Sequence, residues 1–334
     1  MRISVIIPVY NAMTAGGGYI TRCVESVLAQ QGFVQGDIEI LIVNDGSTDT
    51  SLDTLNSIAT TNSSIRLVDQ QNMGVANTRN KAIDLAKGEY IVFLDQDDWF
   101  DEDFCITLYT EAIESEADVV VSGYRRPNVY GRVVKKFLPA DTSYGRYTLS
   151  AAWAKIHKTD FLRKNKIEFF SNSYGEDLPF MVKQNQLTTS YRIIPYAGYN
   201  WFLNEKSVSN TSQKTLTPET IASLERLFEE LCSLSISNQL SRDFKYYLLR
   251  TAVFYLLFSG RVAKRDDFLD ATRRIFVILE KYDKAFEVKN IYKLLIPPRG
   301  ENSTVSISVM LFVIIKTLRL FPVFAMFWCK SPQR

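Results

Sequence analysis

Apolar residues in the first hundred positions of the chain follow two alternating rhythms. Ile3–Val9, Ile38–Val43, Ile65–Val68 and Tyr90–Leu94 are short runs, long enough for strands and too short for helices. Between them, Ile20, Cys23, Val24, Val27 and Leu28 recur at helical spacing, and so do Leu52, Leu55, Ile58 and Ala59. A third helix is predicted from Gly74 to Lys87, closing at Gly88. Strands that are apolar throughout belong in a sheet covered on both faces. The order β-α-β-α-β-α-β therefore predicts an α/β chain with a mainly parallel sheet and right-handed crossovers.

The pattern then changes. Strands are expected at Val119–Tyr124 and Val129–Leu138, joined around Arg125–Asn128, with another near Trp153–His157. Glu176-Asp177 precedes a predicted helix at Leu178–Gln186, and strand-like residues return at Tyr191–Tyr196 and Tyr199–Leu203. From Thr217 the chain reads as helical, with Ile221, Leu224, Phe228 and Leu231 on one face. Phe244–Phe258 is apolar nearly all round, which fits burial between layers or rest against lipid. In the tail, Lys316 and Arg319 divide two apolar runs, Val305–Ile315 and Leu320–Cys329. Each is shorter than the roughly 20 residues of a spanning helix. From Arg299 to Arg334 there are five basic residues and one acidic. A segment lying at a membrane interface is the favoured reading, with packed helices and a spanning hairpin as alternatives. These shifts divide the chain into a catalytic unit over 1–205 (halves 1–100 and 101–205), a helical region over 206–300 and an apolar, basic tail over 301–334.

Composition narrows the function classes. The 334 residues are 46% hydrophobic and 23% charged, enough for a real core in a large domain plus a smaller helical one. A formal charge of +2 gives no footprint for nucleic acid. The 4 cysteines lie far apart with no C-x-x-C pair, which points to reduced thiols in a cytosolic setting. A single histidine, His157, argues against a His-rich zinc site or a His-based triad. Arg2 leads directly into the first strand, so no signal peptide is expected.

The chemistry gathers at strand ends. Ile91–Trp99 reads I-V-F-L-D-Q-D-D-W, an apolar strand that releases Asp95, Asp97 and Asp98 together. Carboxylates so close raise one another's pKa unless a cation shares them. Oxygen ligands suit Mg²⁺ or Mn²⁺, and Mg²⁺ is held by one or two carboxylates plus substrate phosphates. The plainer alternative is that Asp98 caps a helix beginning near Asp101. Three further features fall on the same edge of a parallel sheet: Pro8-Val9-Tyr10-Asn11, Asn44-Asp45-Gly46-Ser47, and the stretch from Asn72-Met73-Gly74 to Arg79-Asn80.

Together, I-S-V-I-I-P-V-Y-N, I-L-I-V-N-D-G-S-T-D, N-M-G-V-A-N-T-R-N-K-A and G-E-Y-I-V-F-L-D-Q-D-D-W resemble the successive signatures of family 2 glycosyltransferases. W-A-K-I-H-K and Y-G-E-D-L-P-F extend the likeness over 150–200. The resemblance implies a GT-A fold, a mainly parallel Rossmann-like sheet flanked by helices and followed by a helical C-terminal region. It implies an inverting transfer from a nucleotide-diphosphate sugar, a UDP-sugar by the base contact below, to a hydroxyl of a glycan or lipid-linked glycan. The setting would be cell-surface polysaccharide synthesis at the inner face of the cytoplasmic membrane. Carried over residue by residue, Pro8 and Tyr10 line the nucleoside pocket and Asp45 accepts a hydrogen bond from the base. Arg79 contacts the base or the diphosphate, Asp95 and Gln96 sit on the donor, and Asp97 ligates Mn²⁺ or Mg²⁺. Asp177, supported by Glu176, is the expected general base, its carboxyl raised by apolar Leu178, Pro179 and Phe180.

Departures from the family pattern are Asn44 where aspartate is common, Gln96 where serine is, and Thr78 where alanine is; none removes a charged role. Ala12–Gly18 is a long loop with three successive glycines, Gly16 to Gly18, and reads as a solvent loop rather than a flap. His157 reads as a packed or surface residue rather than a catalytic one, and Trp99 and Trp153 as either sugar platforms or core. A sugar-nucleotide nucleotidyltransferase would need basic residues in the Gly16–Gly18 loop, and none precedes Arg22. A degenerate, membrane-bound assembly subunit would lack carboxylates, whereas Asp45, Asp95, Asp97 and Asp177 are all present.

Overall fold

The computed structural model describes residues 1–329 apart from 17, 173, 205–214 and 235–239, with the side chains of 15 and 16 also left aside. Its first unit comprises Met1–Asp141, Leu149–Ser171 and the chain from Glu176 up to Asn204. The elements are β1 (Ile3–Val9), α1 (Ala12–Gly16), α2 (Gly18–Leu28), β2 (Ile38–Asp45), α3 (Ser51–Ala59), β3 (Ile65–Gln70), α4 (Val75–Leu85) and β4 (Tyr90–Phe93). They continue as β5 (Trp99–Phe100), α5 (Phe104–Glu114), β6 (Val119–Val121), β7 (Tyr124–Pro127), β8 (Val133–Phe137), β9 (Lys155–Lys158), α6 (Thr159–Lys164), α7 (Asp177–Leu187), β10 (Tyr191–Ile193) and β11 (Tyr199–Asn200).

The main sheet has the order β10-β6-β9-β4-β1-β2-β3. Strands β3, β2, β1 and β4 are parallel, as the alternating pattern predicts, and β9 runs antiparallel between β4 and β6. All seven residues of β1 are buried, which is why that strand carries no polar alternation. Chain order reverses direction across the sheet between β1 and β4, and the crevice at their carboxyl ends is where such sheets bind ligands. Gly88 lies where the chain enters β4: a Cβ there would sit 2.3 Å from the Ser4 backbone nitrogen, so only glycine permits this approach.

The second sheet, β5-β11-β7-β8, differs from the expected strands. The run Val119–Tyr124 is broken after Val121, because the chain leaves the main sheet and enters the small one at Tyr124. Gly123 makes the crossing: a Cβ there would meet the Phe137 carbonyl oxygen at 2.0 Å. The hairpin turn falls at Asn128–Arg132, where Asn128 Oδ1 accepts from the Tyr130 and Arg132 backbones, and not at Arg125–Asn128. Hydrophobicity misplaced it because Val129 and Tyr130, 59% and 90% exposed, are apolar residues in a turn. Ala12–Gly18 is also not an open loop, since Ala12–Gly16 is a short helix and α2 begins at Gly18; Gly17 lies outside the described residues.

The second unit gathers Thr142–Thr148, Asn172–Gly175 and the helices from Thr215 onward. These helices are α8 (Pro218–Ser233), α9 (Arg242–Gly260), α10 (Arg265–Tyr282), α11 (Ser303–Thr317) and α12 (Phe321–Trp328). Thr217 caps α8 with a reciprocal bond pair to Thr220, and Pro218 occupies its first turn. In the tail, Val309, Phe312 and Val313 are buried against the helical core, with Phe312 stacked on Phe276. No helix among the described residues is long and apolar enough to cross a membrane. The 4 cysteines are free and buried.

Candidate active site

Loops at the carboxyl ends of β1, β2, β3 and β4 are tied to one another by side chains. Gln96 grips the Tyr10 backbone twice: its Oε1 accepts from Tyr10 N at 2.9 Å and its Nε2 donates to Tyr10 O at 3.2 Å. Tyr10 itself is 47% exposed, its ring free to meet a ligand. Asn11 adopts φ 48°, a left-handed conformation that asparagine tolerates, and its Oδ1 accepts from Thr48 N at 2.8 Å. At the end of β2, Asp45 accepts from Met73 N, Gly74 N and Gln70 Nε2, each at 2.9 Å. Three donors leave this carboxylate with limited capacity for a base, and it shapes the loop around Gly74.

Arg79 occupies a place that sequence spacing does not reveal. Its guanidinium is buried and bridges two carboxylates, Asp95 Oδ1 at 2.7 Å and Asp177 Oδ1 at 2.9 Å. Burial acts to lower the Arg79 pKa, but Asp177, Asp95 and Glu176 overcome it and hold the group charged above its ordinary value. Both outer nitrogens of the fork thus point at carboxylates, and Arg79 joins the turn after β4 to the N-terminus of α7.

The turn Asp95–Asp98 separates its carboxylates by environment. Asp98 is fully buried, accepting from Tyr199 OH at 2.6 Å and Phe202 N at 2.8 Å. It caps no helix, since α5 begins only at Phe104; the helix-cap alternative is wrong because tertiary partners turn this side chain inward. Burial, then Asp97 and Asp95, push its pKa well up. Asp97 is half-buried and accepts from Asn204 Nδ2 at 3.2 Å, while its carbonyl accepts from Arg22 Nη2 at 2.9 Å. Arg22 in turn lies 3.7 Å from the centre of the Trp99 ring. Burial and the charge of Asp95 raise the Asp97 pKa. Among the described residues no group of three or more His, Cys, Asp or Glu side chains is gathered for a metal ion. The donor chemistry nevertheless fits one, because Asp97 and Asp95 are oxygen donors of like charge in one turn, a repulsion that a divalent cation relieves.

Asp177 is the first residue of α7, with Glu176 immediately before it. Burial lifts its carboxyl to about 6; Arg79 and the Ala152 backbone N–H oppose the shift, while Glu176 and Asp95 add to it. A closed set of contacts holds this carboxylate. Gln184, two turns along α7, meets His157 Nδ1 at 2.5 Å, and His157 Nε2 faces Ala152 O at 3.1 Å. Burial lowers the His157 pKa to about 4, so the ring is neutral and donates once. Gln184 Nε2 is buried without a partner, so turning its amide end for end lets it donate to Nδ1 while Nε2–H donates to Ala152. His157 thus braces Ala152, the residue whose N–H meets Asp177, and of the packed and surface alternatives the packed one holds. Lys155, fully buried, donates to Leu149 O at 2.9 Å and to Ala151 O. Burial lowers it to about 7, with Asp177 opposing. Sequence reasoning passed over Lys155 and Tyr199. The W-A-K-I-H-K motif held a signal for the first, and nothing local marked the second.

The site therefore lies at the strand ends of an α/β sheet, where Arg79 joins Asp95 to Asp177 and Asp97 stands in the same turn as Asp95. A model of glycosyl transferase family 2 matches residues 4–172. The chain belongs to this family. Glycosyltransferase GlyG of Streptococcus pneumoniae is 40% identical over 123 residues, covering 36% of this chain and 38% of that protein. The poly(ribitol-phosphate) beta-glucosyltransferase of Bacillus spizizenii is 30% identical over 211 residues, 60% of this chain and 32% of the relative. The chain thus spans roughly a third of the length of these relatives. Among solved structures, S. aureus TarS 1-349 in complex with UDP-GlcNAc superposes with a TM-score of 0.67 at 19% identity, covering 98% of this chain and 91% of that one. That likeness is one of fold, and the fold is GT-A.

Proposed function

We propose that the protein is an inverting, metal-dependent glycosyltransferase that moves a sugar from a UDP-sugar to a hydroxyl of a glycan or lipid-linked glycan. The observation that carries the proposal is Arg79, which holds Asp95 and Asp177 together at the carboxyl end of the parallel sheet. Asp177 takes the proton of the acceptor hydroxyl, its carboxyl at about 6 being matched to that task near neutral pH. Glu176 supports it through charge, since it raises the Asp177 pKa. Pro8, Tyr10 and Asp45 frame the nucleoside, Gln96 fixes the Tyr10 loop, and Arg79 acts on the donor through Asp95. Asp97, with Asp95 beside it, would hold Mn²⁺ or Mg²⁺. That ion would supply positive charge for the diphosphate leaving group. Attack by the activated hydroxyl on the face opposite the departing diphosphate inverts the anomeric centre. The UDP-GlcNAc complex of TarS and the poly(ribitol-phosphate) glucosyltransferase support a UDP-sugar and cell-surface polysaccharide synthesis.

The test is a panel of sugar nucleotides read by thermal stabilisation and by turnover, each with and without Mn²⁺. Stabilisation by a UDP-sugar that Asp97→Asn loses supports the donor and metal assignments. Turnover surviving in Asp177→Asn would sink the base.

We further infer peripheral contact with the inner face of the cytoplasmic membrane through the tail. Ile307, Leu311, Ile314 and Leu318 recur at helical spacing and are 53%, 51%, 40% and 60% exposed, and on α12 Phe327 is 84% exposed. Co-sedimentation with anionic vesicles checks it. Leu311→Glu with Phe327→Glu should abolish binding, and unchanged binding overturns the inference.

A further inference from the structure

The hairpin β7–β8 carries a charge pattern that costs stability in the free protein. From Val119 to Leu138 there are five basic residues and no acidic one. Arg125 lies directly across from Lys136, and Arg126 across from Lys135. Like charges opposite one another in an antiparallel pair destabilise it. On one face the conflict is relieved, because Arg125 pairs with Asp101. On the other face, no ion pair among the described residues reaches Arg126 or Lys135.

Aromatic rings lie under the cations of that second face. The Arg126 guanidinium lies 4.0 Å from the centre of the Trp201 ring, within cation–π range, and its Nε is buried without a hydrogen-bond partner. Lys135 lies 5.8 Å from the Tyr124 ring centre. Trp153 adjoins Tyr124 and Trp201 at 5.3 Å and 5.4 Å, and stacks on Tyr199 at 4.7 Å. Trp153 directly follows Ala152, whose N–H meets Asp177. Tyr124, Trp153 and Tyr199 are buried core residues, not sugar platforms, and they form a rigid aromatic layer beneath the part-exposed Trp201 and Arg126.

We propose that this face of the hairpin is an acceptor subsite for an anionic glycan, with Arg126 and Lys135 receiving its phosphate or carboxylate groups. The inference deepens the glycosyltransferase reading and rests on it. A bound anion would relieve the Arg126–Lys135 repulsion, so the pair trades stability of the free hairpin for recognition. The anions then fix the register in which the bound chain lies on the hairpin.

The test uses the full chain saturated with UDP and Mn²⁺, so that the donor site is filled. Tryptophan fluorescence reports binding of three probes: a neutral hexasaccharide, one of equal length with carboxylates on alternate sugars, and an oligomer of phosphodiester-linked units. The anionic probes should bind at least about tenfold more tightly than the neutral one at low salt, with the preference shrinking as salt rises. Lys135→Gln and Arg126→Gln should each lose roughly tenfold toward the anionic probes only, and Lys135→Arg should restore binding. Which anionic probe binds more tightly decides between phosphate and carboxylate. Lys135 is exposed, so its substitution leaves the fold intact even if Arg126→Gln does not. Equal binding of neutral and anionic probes overturns the proposal. So does binding of anionic lipid vesicles through Lys135 where the oligomers fail. A wild-type protein that shows no thermal shift with UDP and Mn²⁺ instead refutes the underlying glycosyltransferase reading.

Discussion

Replacing Asp177 by asparagine separates catalysis from stability. Burial holds the Asp177 carboxyl at about 6 against an ordinary 3.8, even with Arg79 at 2.9 Å. Because the folded-state value is raised, protonation favours the fold. That contribution is complete below about pH 4 and is lost as pH rises through about 6. Two units of difference correspond to roughly 3 kcal/mol. This is an upper figure, since 19% of the side chain meets water. Asparagine has nearly the same shape and no charge at any pH, and Arg79 keeps Asp95 as its partner. The variant should therefore be more stable than the wild type at about pH 7.5, by up to roughly 6–12 °C in melting temperature at 2–4 °C per kcal/mol. The two proteins should converge near pH 4, and sugar transfer should be absent in the variant. Thermal melts at half-unit steps from pH 4 to 8, read as the difference between the proteins, measure this directly. A variant that melts below the wild type at pH 7.5, or a difference that does not vary with pH, would refute the reasoning.

Other substitutions probe the rest of the framework. His157→Gln should remove an acid-side loss: with its folded value lowered to about 4, His157 stabilises fully above about pH 6.5, and that stabilisation is lost as pH falls through 4. Melts over that range check it, and the same variant should slow transfer more than it weakens UDP binding, because it loosens the Ala152 peptide rather than the donor site. Tyr199→Phe takes a donor from buried Asp98 and should cost about 1–3 kcal/mol in urea unfolding, since Phe202 N would be the remaining bond to that carboxyl among those described here. Gly88→Ala should cost about 2–3 kcal/mol or more in the same assay, as β1 must move to admit a Cβ only 2.3 Å from Ser4 N.

Strand ends were the most readable part of the site. Four loops at one edge of a parallel sheet follow from a β-α repeat alone, because right-handed crossovers place every such loop at the same end. Partnerships across elements were not readable. Arg79 and Asp177 are 98 positions apart, and no local pattern says that their charges meet. Asp98 shows the same limit from the other side: D-D before a helix is a sound capping signal, and Tyr199, 101 positions away, overrides it.

By itself, the sequence determined the parallel half of the fold, since uninterrupted apolar runs are stable only as strands covered on both faces. It also determined which residue types stand at the strand ends. Tertiary structure decided what each charge does. Burial is a property of the assembled chain, and it sets Asp98 apart as a fixed internal group and lifts Asp177 toward neutrality. It also leaves the cations of the small-sheet hairpin facing one another, because strand register sets which side chains lie opposite, and the turn that fixes that register fell where apolar residues concealed it.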